Sequence, residues 1–257
     1  MSTEVPIYSY LYRERDVVVL FGDLTRILED FSLHVLSVGL EYDGLTHQLL
    51  SDGLQALSFH LATRPADEYV GWTICVEDPR AYLFFTGSSR SGAVVGRAFD
   101  DEVEAKQENI FVSQVKRDDG ETRTSSVPVE GVDLFGMVEG YYRTSEQKLA
   151  RFFHRDSVVA FAQALPNADN EWLRKVGTDE IFDLHESGKL DYLATREFRF
   201  RCGCHKDRIA GLMVGAYGTK TDDLFQSDPS VEVQCPRCGA NTVITREDYE
   251  RLLKKRV

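Results

Sequence analysis

The chain has 257 residues, of which 42% are apolar and 28% charged, with a formal net charge of −12 at pH 7. Such a composition suits a globular protein of one large domain or two smaller ones, and the acidity argues against a protein that tracks phosphate backbones. No apolar run reaches the roughly 18 residues needed to cross a bilayer, and the first residues lack the basic and apolar regions of a secretory signal, so a cytoplasmic location and no membrane partner are expected.

The acidity is uneven. From Arg201 onward there are ten Lys/Arg against eight Asp/Glu, leaving 20 against 34 for the preceding residues. No internal repeat or low-complexity linker divides the chain, so boundaries rest on changes of pattern.

Residues 44–63, "GLTHQLLSDGLQALSFHLAT", place Leu45, Leu49, Leu50, Leu54, Leu57 and Leu61 at helical spacing, predicting a helix packed on a core. The β-branched and aromatic runs "YVGWTICV", "AYLFFTG", "AVVGRAF" and "NIFVSQV" follow. They read as strands, and their short connections favour antiparallel pairing. "GSSRSG", residues 87–92, is a hairpin loop between two of them rather than a phosphate-binding nest. A second helical stretch is expected over 132–151, then an extended run, "SVVAFAQALP", that stops at Pro166. The expected fold is α+β: a core domain of mainly antiparallel sheet with packed helices over 1–166, and a small cysteine-bearing domain over 201–257. Between them, 167–200 is charged and weakly periodic, with Trp172, Leu173, Ile181 and Phe182 as apolar anchors, and reads as a linker rather than core. The tail closes with "TREDYERLLKKRV", where Thr245 and Asp248 form an imperfect capping box ahead of a short helix.

Four of the five cysteines lie in the tail as two clips: Cys202 and Cys204 separated by one residue, Cys235 and Cys238 by two. Where thiols stay reduced, paired cysteines signal metal binding or redox chemistry rather than static disulfides. Structural zinc takes four tetrahedral ligands, often all thiolate, and two clips supply four sulfurs. In "CPRCG", Pro236 stiffens the turn, Arg237 points outward, and Gly239 allows positive φ so that backbone amides approach the sulfurs. The predicted ligands of one zinc ion are therefore Cys202, Cys204, Cys235 and Cys238. His205 reads as an exposed helix-start residue, and Cys75, remote in sequence within a strand, as a buried structural thiol. A Cys-x-Cys pair can also close a small disulfide, helped by Gly203, and oxidation of both clips would consume every ligand.

"FRCGCHKDRI" and "VEVQCPRCGANTVITREDYERLL" together resemble the zinc-binding tail of the heat shock protein 33 family of redox-regulated chaperones. The resemblance continues upstream at "YYRTSEQ", residues 141–147, and at "AVVGRAF", where Gly96 precedes Arg97. It implies an ATP-independent holdase for unfolded client proteins, inactive when reduced and zinc-bound. On oxidation, Cys202 would pair with Cys204 and Cys235 with Cys238, zinc would leave, and the chain would act as a dimer. Two departures from the family pattern are a shorter connecting segment and Gly203 and His205 around the first clip. Enzyme motifs such as G-x-S-x-G, H-E-x-x-H and the P-loop are missing from the sequence, which reads as no enzyme. The alternatives from other classes are a constitutive zinc-stabilised interaction module and a zinc-ribbon nucleic-acid binder. The net charge opposes the second.

Overall fold

The computed structural model describes residues 3–78, 80–99 and 109–256. In chain order the elements are β1 (Val5–Tyr12), β2 (Val17–Asp23), α1 (Thr25–Ser37), α2 (Gly44–Ala62), β3 (Glu68–Val76), β4 (Ala81–Ser88), β5 (Ala93–Phe99), β6 (Ile110–Arg117), β7 (Thr122–Pro128), α3 (Leu134–Thr144), β8 (Ala150–Arg155), β9 (Val158–Ala164), α4 (Asn170–Lys175), α5 (Thr178–Glu186), β10 (Asp191–Phe200), α6 (Lys206–Tyr217), α7 (Thr221–Phe225), β11 (Ser230–Gln234), β12 (Asn241–Thr245) and α8 (Arg246–Arg256). The fold is α+β, as the pattern predicts.

Ten strands form one sheet in the order β7-β6-β3-β4-β5-β10-β1-β2-β9-β8, and β11 and β12 pair as a separate ribbon. Neighbours in the large sheet are antiparallel except β5 and β10, which run parallel over the short register Arg199 to Ala93 and Phe200 to Val94. β10 also pairs antiparallel with β1. It therefore joins two antiparallel halves, and the last strand before the cysteines is anchored between them.

The leucine helix is α2. Asp43 caps it, its carboxylate accepting from the Thr46 amide, and Leu49, Leu50, Leu54, Leu57 and Leu61 are all buried, while Leu45 at the first turn is exposed. Gly53 and Gly96 clasp the Phe85 ring between helix and sheet: a Cβ built on Gly53 would lie 2.1 Å from the ring and one on Gly96 2.6 Å from it. These two glycines let α2 sit close on the sheet.

Two expectations need correction. The helix expected over 132–151 ends at Thr144; the chain reverses through Gln147 in left-handed backbone (φ 54°), and Ala150 and Arg151 belong to β8. The stretch 167–200, read as a connector outside the core, contributes α4, α5 and β10, and Leu173, Ile181, Phe182 and Leu184 are buried in an apolar cluster with Val17, Val19 and Phe21 of β2. Its helices are short, of six and nine residues, and carry charge on their outer faces, which hides their apolar stripes from a periodicity reading.

The "YYRTSEQ" stretch builds a buried ion network. The Tyr141 hydroxyl donates to Glu146, whose other oxygen accepts from Arg64 at 2.9 Å; Arg64 also donates to Glu68 at 2.6 Å. The Glu68 side chain is wholly buried and further accepts from Arg117 and Arg123. Burial opposes its ionisation, but the hydrogen bond and charge of Arg64, followed by Arg117 and Arg123, hold its pKa below the ordinary value.

Candidate metal centre

Each clip sits where an element ends. Cys202 and Cys204 lie between the end of β10 and the start of α6, with Gly203 between them in left-handed backbone (φ 66°). Cys235 and Cys238 form the turn of the β11–β12 ribbon, closed by the Gly239 amide donating to the Cys235 carbonyl and the Cys235 amide to the Ala240 carbonyl, both at 2.9 Å. Gly239 has φ 76°, as its place in the knuckle predicts.

The clips face each other. All four sulfurs lie within 4.8 Å of one another, with Cys202 Sγ 3.6 Å from Cys235 Sγ and Cys204 Sγ 3.5 Å from Cys238 Sγ. A tetrahedron with metal–sulfur bonds near 2.3 Å has edges of about 3.8 Å, so the donor set and its spacing fit a four-thiolate ion of the zinc type. Cys235 and Cys238 are buried, Cys202 and Cys204 half-buried.

Hydrogen bonds from the Cys202 and Cys238 thiols hold the Cys235 pKa far down; the bond to Cys235 pushes Cys202 up to about 12, and bonds to Cys202 and Cys235 push Cys238 upward. His205 and Cys75 lie where the sequence places them. His205 is the exposed N-cap of α6, its ring accepting from the Arg208 amide, and Cys75 is buried in β3, its pKa raised by burial. Arg237, expected to point outward, instead leans over the first clip and donates to the Cys202 carbonyl at 3.4 Å.

Sequence reading missed the residues that seat the centre on the core. Arg97 of β5, only 6% exposed, donates through one guanidinium nitrogen to the Gln234 side chain at 3.0 Å and to the Cys235 carbonyl at 3.1 Å. His34 of α1 donates from Nε2 to the Cys238 carbonyl at 2.9 Å. Leu40, just after α1, packs so closely on Gly239 that a Cβ there would lie 2.6 Å from its Cδ1. These partners are more than a hundred residues from the cysteines, and no local pattern announces them. The tail's own fold is closed by Thr245 and Asp248, whose reciprocal bonds (hydroxyl to carboxylate 2.6 Å, amide to hydroxyl 3.2 Å) complete the expected capping box.

The architecture is that of an α+β core carrying a four-cysteine knuckle able to hold one metal ion, docked on it through backbone carbonyls of the knuckle itself. The sequence profile described as Hsp33 protein matches residues 103–245, more than half of the chain, and the chain belongs to that family, a family of chaperones. Curated relatives named 33 kDa chaperonin match nearly end to end: one from Aliivibrio salmonicida is 21% identical, covering 97% of this chain and 95% of its own length, and one from Serratia proteamaculans is 22% identical, covering 98% and 96%. The crystal structure of the 33 kDa chaperonin (heat shock protein 33 homologue) from Thermotoga maritima shares the fold, with a TM-score of 0.69, 15% identity and 98% of each chain covered. Among the described residues no helix is long and apolar enough to cross a membrane.

Proposed function

We propose that this chaperone is a redox-regulated, ATP-independent holdase of the cytoplasm, silent while its four cysteines are reduced and hold zinc. The observation that carries this reading is the set of four sulfurs within 4.8 Å, contributed by two clips with thirty residues between them in the chain. The ligands are Cys202, Cys204, Cys235 and Cys238. Zinc bound by them supplies cross-linking energy, on the order of 10 to 16 kcal/mol in small structural sites, and no catalysis.

On oxidation, Cys202 pairs with Cys204 and Cys235 with Cys238. Each clip, as two thiolates, gives up two electrons to a two-electron oxidant such as a peroxide, which takes two protons from solvent, its O–O bond breaking to give water and, from an alkyl peroxide, an alcohol. Afterwards no thiolate remains to hold an ion, and the two clips are free of each other. In this reading the redox-sensing tail (201–257) is the part that lets go, and the core (1–166) keeps α4, α5 and β10 of the segment 167–200 packed on it.

Leu33 and Leu36 on α1 are already exposed, at 59% and 76%, and departure of the tail uncovers Leu40, which packs on Gly239, beside them. That enlarged apolar face is the client-binding surface we assign. A second copy of the chain is the further partner expected in the oxidised state.

The test is light scattering by a heat-unfolding client, with the chain either reduced and zinc-loaded or oxidised and metal-free. Suppression of aggregation by the oxidised form alone supports the switch. Equal behaviour of the two forms removes it.

A further inference from the structure

Beside the metal centre a cleft of about 340 Å³ is lined by Arg199, Arg201, Arg208 and Arg237, by His205, and by Ser88 and Ser91, with Tyr69 among its wall residues. Among the described residues no carboxylate lines it. In a chain of net charge −12, an arginine would ordinarily find an acidic neighbour. Arg199 does, pairing with Glu4. Arg201, Arg208 and Arg237 form no ion pair with any described residue.

Two of these three are also pre-positioned. Arg208 is held by the Gly203 carbonyl and Arg237 by the Cys202 carbonyl, each at 3.4 Å through a single guanidinium nitrogen, which leaves further donors of each fork for another acceptor. The twelve-residue helix α6 begins at the cleft wall, where His205 is its N-cap, adding the positive end of a helix dipole. Like charges gathered without a counter-charge repel one another, and the arrangement is relieved when an anion with several oxygens sits among them. The volume lies at the small end of ligand pockets. It suits a diphosphate with a modest body better than a long polymer. Tyr69, 44% exposed, offers a ring face for such a body.

We propose that this cleft binds a small di- or triphosphate, held by the forks of Arg201, Arg208 and Arg237. The assignment is independent of the redox reading, because it uses none of the cysteine side chains.

Calorimetric titration of the reduced, zinc-loaded full chain with sodium pyrophosphate and, separately, with ADP tests it. Saturable 1:1 binding of either is expected, weakened tenfold or more by the double variant Arg201→Ala, Arg208→Ala and unchanged by Arg90→Ala, which lies outside the cleft lining. ADP binding that falls with Tyr69→Ala identifies a nucleotide; binding of pyrophosphate alone identifies an inorganic ligand. If the double variant loses zinc or unfolds, Arg201→Glu, at an exposed position, carries the same expectation. Absence of saturable binding to both probes, or affinity unchanged in the arginine variants, overturns the proposal.

Discussion

Arg97 reaches out of β5 to the carbonyl oxygen of Cys235, 3.1 Å away, so that one strand of the core grips the backbone of a proposed metal ligand 138 residues later in the chain. The bond reads the shape of the knuckle rather than its sulfur. Any change that re-forms the Cys235–Cys238 turn must therefore disturb the grip of the core on the tail.

Arg97→Ala is expected to loosen the tail without emptying the metal centre. A hydrogen bond from a charged donor contributes about 1.5 to 3 kcal/mol, corresponding to roughly a 10- to 150-fold rise in tail opening. Hydrogen exchange of amides over 201–256 measures this directly. Unchanged protection there would show that Leu40 and His34 hold the tail unaided.

Cys235→Ser removes one of the four sulfurs that lie within 4.8 Å of one another. Zinc content should drop well below one per chain, and the tail should become protease-sensitive, because so small an apolar core cannot offset the chain entropy of ordering it. Full zinc occupancy in the variant would end the four-thiolate assignment.

Glu68→Gln strips the buried counter-charge from Arg64, whose side chain is only 12% exposed, and from Arg117. Removing one partner from a buried ion pair costs about 3 to 5 kcal/mol, and the Glu146 carboxylate that Arg64 keeps puts the expected loss at the lower end. A fall in the urea midpoint at unchanged slope is the expected signature, and a loss below about 1 kcal/mol would mean that water or Glu146 compensates.

Acid should weaken the core through His60. Its ring is fully buried, with Nδ1 2.8 Å from the Tyr142 hydroxyl, and its pKa is driven well below the usual 6.5, first by burial and then by the charges of Arg64 and Lys148. The unfolded chain takes up a proton near pH 6.5 that the folded chain refuses. The stability is thus complete above that pH and lost as pH falls below it, by up to about 1.4 kcal/mol per unit. Denaturation midpoints between pH 7.5 and 5 should show this slope, and His60→Phe should flatten it, leaving a smaller part from His154, whose pKa burial also lowers.

At Gly53 two general rules conflict. Helix propensity favours alanine there by about 0.5 to 1 kcal/mol, but the new Cβ would lie 2.1 Å from the Phe85 ring. Overpacking of this kind costs about 1 to 3 kcal/mol, so the clash wins and Gly53→Ala should lower the melting temperature. A higher melting temperature would show that Phe85 can move aside.

Much was legible locally. The leucine spacing of α2, the strands from β3 to β6, the capping box of α8 and the positive φ of Gly239 all follow from neighbours a few residues apart. The first two strands and α1 carried too weak a pattern to be read as elements. Pattern alone runs α3 on into β8 because the reversal at Gln147 is a non-glycine residue in left-handed backbone. The helices of 167–200 escape a periodicity reading because amphipathic segments of six and nine residues declare their buried faces only once a sheet is there to cover them.

The sequence by itself determined the cysteine set, since ligand type and clip spacing are properties of the chain alone, and with it the α+β class and the family likeness. Tertiary structure decided that the two clips meet at 3.5 to 3.6 Å, that β10 joins the two halves of the sheet, and that Arg97, His34 and Leu40 hold the knuckle. It also gathered Tyr69, Ser88, Arg201 and Arg237 around one cleft. These are contacts across scores of residues, fixed by which apolar faces bury against which, and a short-range pattern carries no record of them.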